Sequence, residues 1–429
     1  MLPIIGSLLI FLFVIGLIFS EKLNRTIASL VGAVVMVAFG LLVGFFTEKD
    51  ALEAIDFNTI GLLMGMMILV SILEPTGFFQ YLAVLVGKLS RGRPVRLLLF
   101  LGTITTLVSM FLDNVTTVVL IAPVTILLCE ILGFNPQPFL MAEALLSDTG
   151  GVATLVGDPP NILIGSAAGL TFLDFLTHSL PVVVIVWLVA LGILLLLFRK
   201  DLAQQPSDLD ALMGLNPKDT LKDSKAAKKV IIVISAMVVL FLLEEMLHIQ
   251  PSLIALAGAG MALVFTRPPI QEVLKRVQWD VLIFFAGLFV VIGGMQAAGV
   301  FEIFTRLAIH FSKVSPMVLG LIILWTVALL SMVVDNVPIT ISLIPVIQGL
   351  GAAGIPIAPL WWALVFGAGF GGNGTIIGST ANIVVASLSE KTRNPITPIV
   401  WNKRGLPVML GTTVIASICY LLLFNFLSR

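Results

Sequence analysis

The chain of 429 residues carries 24 basic and 24 acidic side chains, a net charge of zero that offers nucleic acid no basic footprint. Apolar residues make up 59% and charged residues 11%, where a soluble domain carries about 25% charged. With a mean hydropathy of +1.12, the composition excludes a water-soluble fold.

Apolar runs long enough to cross a bilayer as helices recur along the chain. The first, 2–19, lacks a basic leader and a small-residue cleavage site and is expected to remain as a span rather than leave as a signal peptide. Two further spans and a short amphipathic stretch follow. Next comes an apolar segment interrupted at Asp113-Asn114. An acid at the centre of a run too long for a core helix predicts a re-entrant hairpin with the acid at its tip. A span broken at Gly157-Asp158-Pro159-Pro160 and a last span over 180–198 complete a first half, 1–198. A polar linker, 199–228, leads into a second half, 229–429, built of the same pieces. The expected fold is an all-α polytopic membrane protein. Each half has about five full spans, one re-entrant hairpin and a broken helix.

The halves are related in sequence. Asp113-Asn114-Val115 recurs as Asp335-Asn336-Val337, 222 positions later, and the same spacing relates Gly77 to Gly299, Ser109 to Ser331 and Pro123 to Pro345. Gly150-Gly151, Thr154, Gly157 and Asn161-Ile162 recur as Gly371-Gly372, Thr375, Gly378 and Asn382-Ile383 at a spacing of 221. An odd number of crossings per half gives the repeats inverted topology. The positive-inside rule agrees. With the linker cytoplasmic, alternation also places 20–26, 88–96, 267–278 and 387–405 inside, and these five segments, with Lys229 at the linker's edge, hold 20 of the 24 basic residues. Lys49, Arg306, Lys313 and Arg429 fall outside, as do both termini. Inverted repeats whose broken helices meet near the midplane are the build of secondary transporters. Gly87-Lys88 lacks the rest of a Walker A loop, so an ion gradient is expected to drive transport.

Asp113 and Asp335 are the first candidates for chemistry. An ionised acid within a span costs about 2.5–3.5 kcal/mol or more, and a neutral Ser or Asn would cap the following helix without that cost. Each acid reads as a cap, and their duplication also points to binding of a proton or cation. The breaks come second. Pro159-Pro160 remove two N–H donors, and the glycines of 371–378 interrupt the second half; unwound backbone at membrane depth survives only inside protein or beside water. Candidate substrate contacts are therefore Asn114, Thr116, Thr154, Gly157 and Asn161 with Asn336, Thr375, Ser379 and Asn382. Asp158 and Asp148 are further candidate proton or cation carriers, although Asp148, whose counterpart is Gly369, reads nearly as well as a hydrogen-bonded structural acid. Glu74, Glu130 and Glu143 lie nearer the span ends and read as interfacial. Cys129 and Cys419 read as small buried hydrophobes, and His178, His248 and His310 are scattered over outer loops. No metal set, cofactor motif or enzymic constellation emerges.

These blocks resemble the ion transporter superfamily. Asp113-Asn114-Val115-Thr116-Thr117 with Pro123, and Gly150-Gly151 with Gly157-Asp158-Pro159-Pro160-Asn161, are most similar to one of its branches. That branch holds the arsenite-efflux permeases (ArsB-like), the NhaD-type sodium/proton antiporters and the pink-eyed-dilution protein. The likeness covers essentially the whole chain. Dicarboxylate carriers of the superfamily have Ser-Asn-Thr at the hairpin tips; here Asp takes the Ser position twice and Val follows Asn. The resemblance implies a scaffold domain, a mobile transport domain carrying both hairpins, and elevator-type movement, often in a homodimer. A soluble ATPase partner stays open.

Four aspartates and no Lys or Arg in the expected core rank a dicarboxylate low. A neutral oxyacid of arsenic or antimony, exported in exchange for protons on those aspartates, heads the list, ahead of sodium/proton exchange. Two separated cysteines cannot form a three-thiolate site, so oxygen and nitrogen ligands are expected. A scaffold or receptor without transport would have little use for two broken helices and buried acids. The expected location is the cell membrane.

Overall fold

The computed structural model describes residues 1–20, 23–303 and 314–428, and among them every regular element is a helix. Lys22, Arg306, His310, Lys313 and Arg429, which entered the reading of loop charge and outer histidines, lie outside the described residues. The first half contains α1 (Leu2–Phe19), α2 (Arg25–Val43), α3 (Phe57–Leu73), α4 (Phe78–Ser90), α5 (Pro94–Ser109), α6 (Asn114–Leu132), α7 (Gln137–Gly151), α8 (Pro159–Ala168) and α9 (Leu180–Leu197). The second contains α10 (Ser224–Leu242), α11 (Pro251–Thr266), α12 (Trp279–Ala297), α13 (Pro316–Ser331), α14 (Asn336–Ala352), α15 (Ala358–Gly371), α16 (Thr380–Ser389) and α17 (Pro398–Leu422). Short helices Glu48–Ala54 and Ile270–Arg276 precede α3 and α12. Among the described residues six helical stretches, α2, Phe57–Thr76, α6, Phe172–Leu197, α12 and α17, are long and apolar enough to cross a membrane.

The loops sort onto two faces. On one, Lys222 N–H donates to Thr76 O at 2.9 Å, Lys88 Nζ to Leu215 O at 2.5 Å, Ser207 N–H to Leu132 O at 2.9 Å and Gln137 Nε2 to Pro395 O at 3.0 Å. The Arg404 guanidinium donates to Leu197 O on the same face. On the other face, Phe172 N–H donates to Glu244 Oε1 at 2.9 Å and Ser252 N–H to Asn58 Oδ1 at 3.0 Å. There the His178 ring stacks on Trp362 and Phe426, with centroids 5.2 and 4.5 Å away. Burial pushes the Glu244 carboxyl above the usual glutamate range, against the Phe172 N–H bond that lowers it.

Both arms of the first hairpin end against the linker. Gly92, just before α5, packs on Pro206 and Leu209, and Leu132 at the end of α6 accepts from Ser207. Gly133 closes α6 at φ 70°, and a Cβ there would lie 1.9 Å from Ser207 Oγ, so glycine is required by both conformation and space.

The halves interlock. α3 packs on α11 and α12 on α2. A Cβ on Gly65 would sit 2.6 Å from the Ala255 carbonyl carbon, and one on Gly287 would sit 2.8 Å from that of Ser29. Small residues thus set the close approach of these helices. α5 packs on α7 and α13 on α15, while α16 lies against α6 and α7, and α8 against α14 and α15. Each hairpin is therefore completed by a helix from the other half. Leu97, Leu101, Leu145, Leu146, Ala381 and Val385 form one buried cluster at the first of these junctions.

Candidate functional site

The two breaks are held by one set of hydrogen bonds used twice. Asn161 Nδ2 donates to Gly151 O at 2.9 Å and Thr154 O at 2.8 Å; Asn382 Nδ2 donates to Gly372 O and Thr375 O, both at 3.0 Å. Thr154 Oγ1 donates to Met110 O, and Thr375 Oγ1 to Met332 O at 2.5 Å. Ser109 Oγ reaches Ser147 O at 2.7 Å, and Ser331 Oγ reaches Ala368 O at 3.0 Å. Carbonyls freed by the interruption thereby regain donors. A Cβ on Gly157 would come 2.6 Å from Gly151 O, and one on Gly378 would come 2.5 Å from Gly372 O. Thr154, Gly157, Asn161, Thr375 and Asn382, read from the sequence as substrate contacts, are thus the fastenings of the breaks and stand outside the cavity wall described next.

A cavity of about 250 Å³ lies between the hairpin tips. Asp113, Asn114 and Thr116 of the first tip, Asp335 and Asn336 of the second, and Asp158 and Ser379 of the breaks line it. Phe284 and Phe285 of α12 and Met66 and Met67 of α3 close its apolar side. Asp113 caps α6, accepting from Thr116 N–H at 2.8 Å and Thr116 Oγ1 at 2.5 Å. Asp335 caps α14, accepting from Val337 N–H and Thr380 Oγ1, each at 3.1 Å. Asn114 Nδ2, at 2.6 Å, and Ser379 Oγ, at 2.9 Å, both donate to Asp148 Oδ1. Asp148 is buried behind the wall and ties the first tip to the second break. Asn336 Nδ2 donates to Asp158 Oδ2 at 3.0 Å, tying the second tip to the first break.

Two arginines stand on a wall where the sequence suggested none. Arg25 Nη1 lies 3.4 Å from Asp335 Oδ2, with its guanidinium 5.5 Å from the centroid of the Phe284 ring. Arg276 Nη1 lies 3.0 Å from Glu74 Oε1. Both arginines and Glu74 line the cavity, which corrects the expectation of a core without fixed positive charge. It also moves Glu74 from the membrane interface to the cavity rim. Glu130 is exposed, whereas Glu143 is 0% exposed, enclosed by protein. Gln278 and Thr380, likewise absent from the sequence reading, complete the rim; Gln278 Nε2 donates to Thr116 Oγ1 at 3.3 Å. Each guanidinium is paired, which leaves Asp113 and Asp158 without a cationic partner among the described residues. Among the described residues no group of three or more His, Cys, Asp or Glu is placed to hold a metal ion.

The sequence profile described as citrate transporter (CitMHS) matches residues 15–367. The chain belongs to the citrate transporter family. It is 38% identical over 416 residues to the 46 kDa membrane protein of Mycobacterium leprae, spanning 96% of this chain and 97% of that one. It is 39% identical over 407 residues to an uncharacterized transporter of Mycobacterium tuberculosis, with 94% of each covered. The P protein of Homo sapiens is 32% identical over 490 residues, which cover 95% of this chain and 58% of that protein. The crystal structure of the Alcanivorax borkumensis YdaH transporter, described as having an unusual topology, superposes with a TM-score of 0.60 over 91% of this chain and 88% of that one. At 16% identity that likeness speaks for the fold alone. This citrate transporter family member is therefore a multi-helix membrane transporter. The arsenite-efflux and NhaD-type branches suggested by its motifs are not singled out by these matches.

Proposed function

We propose that this family member is a secondary active transporter that exports a small neutral oxyacid, arsenite or antimonite, in exchange for protons. The observation that carries this reading is the charge balance of the cavity. Four carboxylates, Glu74, Asp113, Asp158 and Asp335, face two guanidiniums that are already paired. A tricarboxylate would meet the unpaired Asp113 and Asp158 with no free cation to receive it. An uncharged solute avoids that repulsion and finds donors and acceptors in Asn114, Asn336, Thr116 and Ser379. The volume also suits a small solute, since pockets for drug-sized ligands run to about 300–1,000 Å³.

Exchange follows if the unpaired acids hold protons when the solute is absent and release them as it binds. Arg25, Glu74, Arg276 and Gln278 belong to the end of the cavity nearest the linker. With the linker cytoplasmic and both termini outside, this conformation faces inward, where an exporter loads. The crosswise packing of α8 and α16 supports two inverted repeats whose hairpins move as one body against a scaffold of α2, α3, α11 and α12. Sodium/proton exchange is the second reading. Asp113 with the Thr116 hydroxyl and the Asn114 amide offers the hard oxygen ligands a sodium ion needs.

Everted vesicles separate the two. Under an imposed pH gradient without sodium, arsenite is expected to accumulate, and adding sodium is expected to leave the rate unchanged. Sodium-induced proton release from reconstituted protein in the absence of metalloid would overturn the first reading in favour of the second.

A further inference from the structure

α7 carries a second buried acid that the cavity does not use. Glu143 is 0% exposed. Thr125 Oγ1 of α6 donates to its Oε1, and its Oε2 is buried with no hydrogen-bond partner. The two side chains sit at one depth: Thr125 is seven residues from the linker-face end of α6 and Glu143 six from that of α7, roughly 10 Å of helix each. Cys129 of α6, 1% exposed, is the titratable group facing it. Glu130 of α6 is exposed, as are Arg96 and Lys403 on the other elements packed against α7, and Arg404 is taken up by Leu197 O and the Phe198 ring. No lysine or arginine is within ion-pair distance of Glu143 among the described residues.

An ionised carboxylate without a counter-charge does not persist in such surroundings, whereas a carboxylic acid does. The neutral acid can share its proton with the Thr125 hydroxyl through Oε1, which still leaves Oε2 unsatisfied. Five residues further along α7, about 7.5 Å of helix, Asp148 Oδ2 is also buried and unpartnered. Thr117 Oγ1 of α6 and Asn373 Oδ1 share that condition, and the Asn373 amide reaches α7 through Leu145 O at 3.3 Å. Buried polar atoms ordinarily have partners, ordered water included. Glu143 and Asp148 lie on different sides of α7, being five residues apart, and each leaves one carboxyl oxygen unsatisfied in the packed interior.

We propose that Glu143 is a proton-binding station outside the solute cavity, exchanging its proton with Asp148 through water bound at their unsatisfied oxygens. One O–H bond breaks at one carboxyl and one forms at the other, and only H⁺ moves. The inference rests on the proton-coupled reading of the cavity, but its test does not use a solute. Infrared spectra of the purified protein are expected to show a protonated-carboxyl C=O band that shifts in deuterium oxide and is lost in Glu143→Gln. After a jump to alkaline pH, Glu143→Gln is expected to release about one proton fewer than wild type. A band that persists in Glu143→Gln, or one that never shifts in deuterium oxide, overturns the proposal. If the glutamine variant does not fold, Glu143→Asp keeps an acid at the site and must move the band's frequency; an unmoved band is equally fatal. Absence of arsenite transport alongside an exchanging Glu143 band would sink the solute reading and leave the proton station standing.

Discussion

At the hairpin tips Asp113 and Asp335 share a motif and a capping role but not a partner, because Arg25 neutralises only the second. Their motif was plain in the sequence; their inequality was not, since Arg25 and Asp335 are separated by 310 positions. A basic residue at the start of a span also reads first as a topology signal. Asp113→Asn is expected to keep the fold, because Asn caps a helix as well as Asp, and to abolish proton-driven transport. Transport at the wild-type rate with unchanged pH dependence would reduce Asp113 to a cap. The Arg25–Asp335 pair is partly exposed, with side chains 34% and 25% accessible, so it contributes about 0–1 kcal/mol. Arg25→Gln should lower the melting temperature by only about a few degrees while changing the pH dependence of transport, and a variant that fails to fold would contradict this. Glu244 gives a separate test at the opposite face. Its carboxyl is raised by burial from an ordinary 4.5, so the folded state prefers it protonated. Stability that is present below that value is lost as pH rises through the folded pKa. The melting temperature of wild type should therefore fall relative to Glu244→Gln as pH is raised from about 4.5; a constant gap would refute it.

The breaks were legible as elements because prolines and glycines cannot continue a buried helix. What their polar residues do was not legible. Asn161 and Asn382 fold back on carbonyls seven and ten residues earlier, a local geometry that a list of polar residues near a gap does not reveal. Asn161→Ala and Asn382→Ala should each strip donors from two carbonyls, at about 1–3 kcal/mol per group left unsatisfied in the interior. Thermal unfolding in detergent should place the two variants close together and well below wild type. Either variant with a wild-type melting temperature and weakened solute binding would return these residues to the cavity. The glycines behave alike: Gly157→Ala and Gly378→Ala force a methyl group onto carbonyl oxygens at 2.6 and 2.5 Å and should destabilise both breaks.

For the whole molecule, hydropathy was enough to anticipate helices throughout, and loops 88–96, 199–228 and 387–405 lie on one face of the described structure. Which long side chains meet at the centre depends on helix crossings, and those follow from small-residue contacts such as Gly65 on Ala255. Glu143 illustrates the limit, since distance from a span end says nothing about what packs over it. The side of the membrane on which the linker lies is open to a direct check. Gln205 is exposed and free of the tether that holds Ser207 to Leu132. A cysteine placed there should resist impermeant maleimide added to intact cells and react after permeabilisation; labelling from outside would reverse the orientation.

Because each hairpin is completed by a helix of the other half, the fold also has a consequence for its manufacture. When the first half leaves the ribosome, the groove beside α6 and α7 is still empty, and Asp148 lacks the Ser379 hydroxyl that arrives 231 residues later. The second hairpin, by contrast, is threaded into a membrane where α8 already waits. The early half therefore reaches its final packing only after synthesis has passed α16. A chain truncated before that point leaves this groove uncovered, apolar at Leu145 and Leu146 and polar at Asp148. Two halves cut at the linker can give a stable protein only when they are inserted side by side.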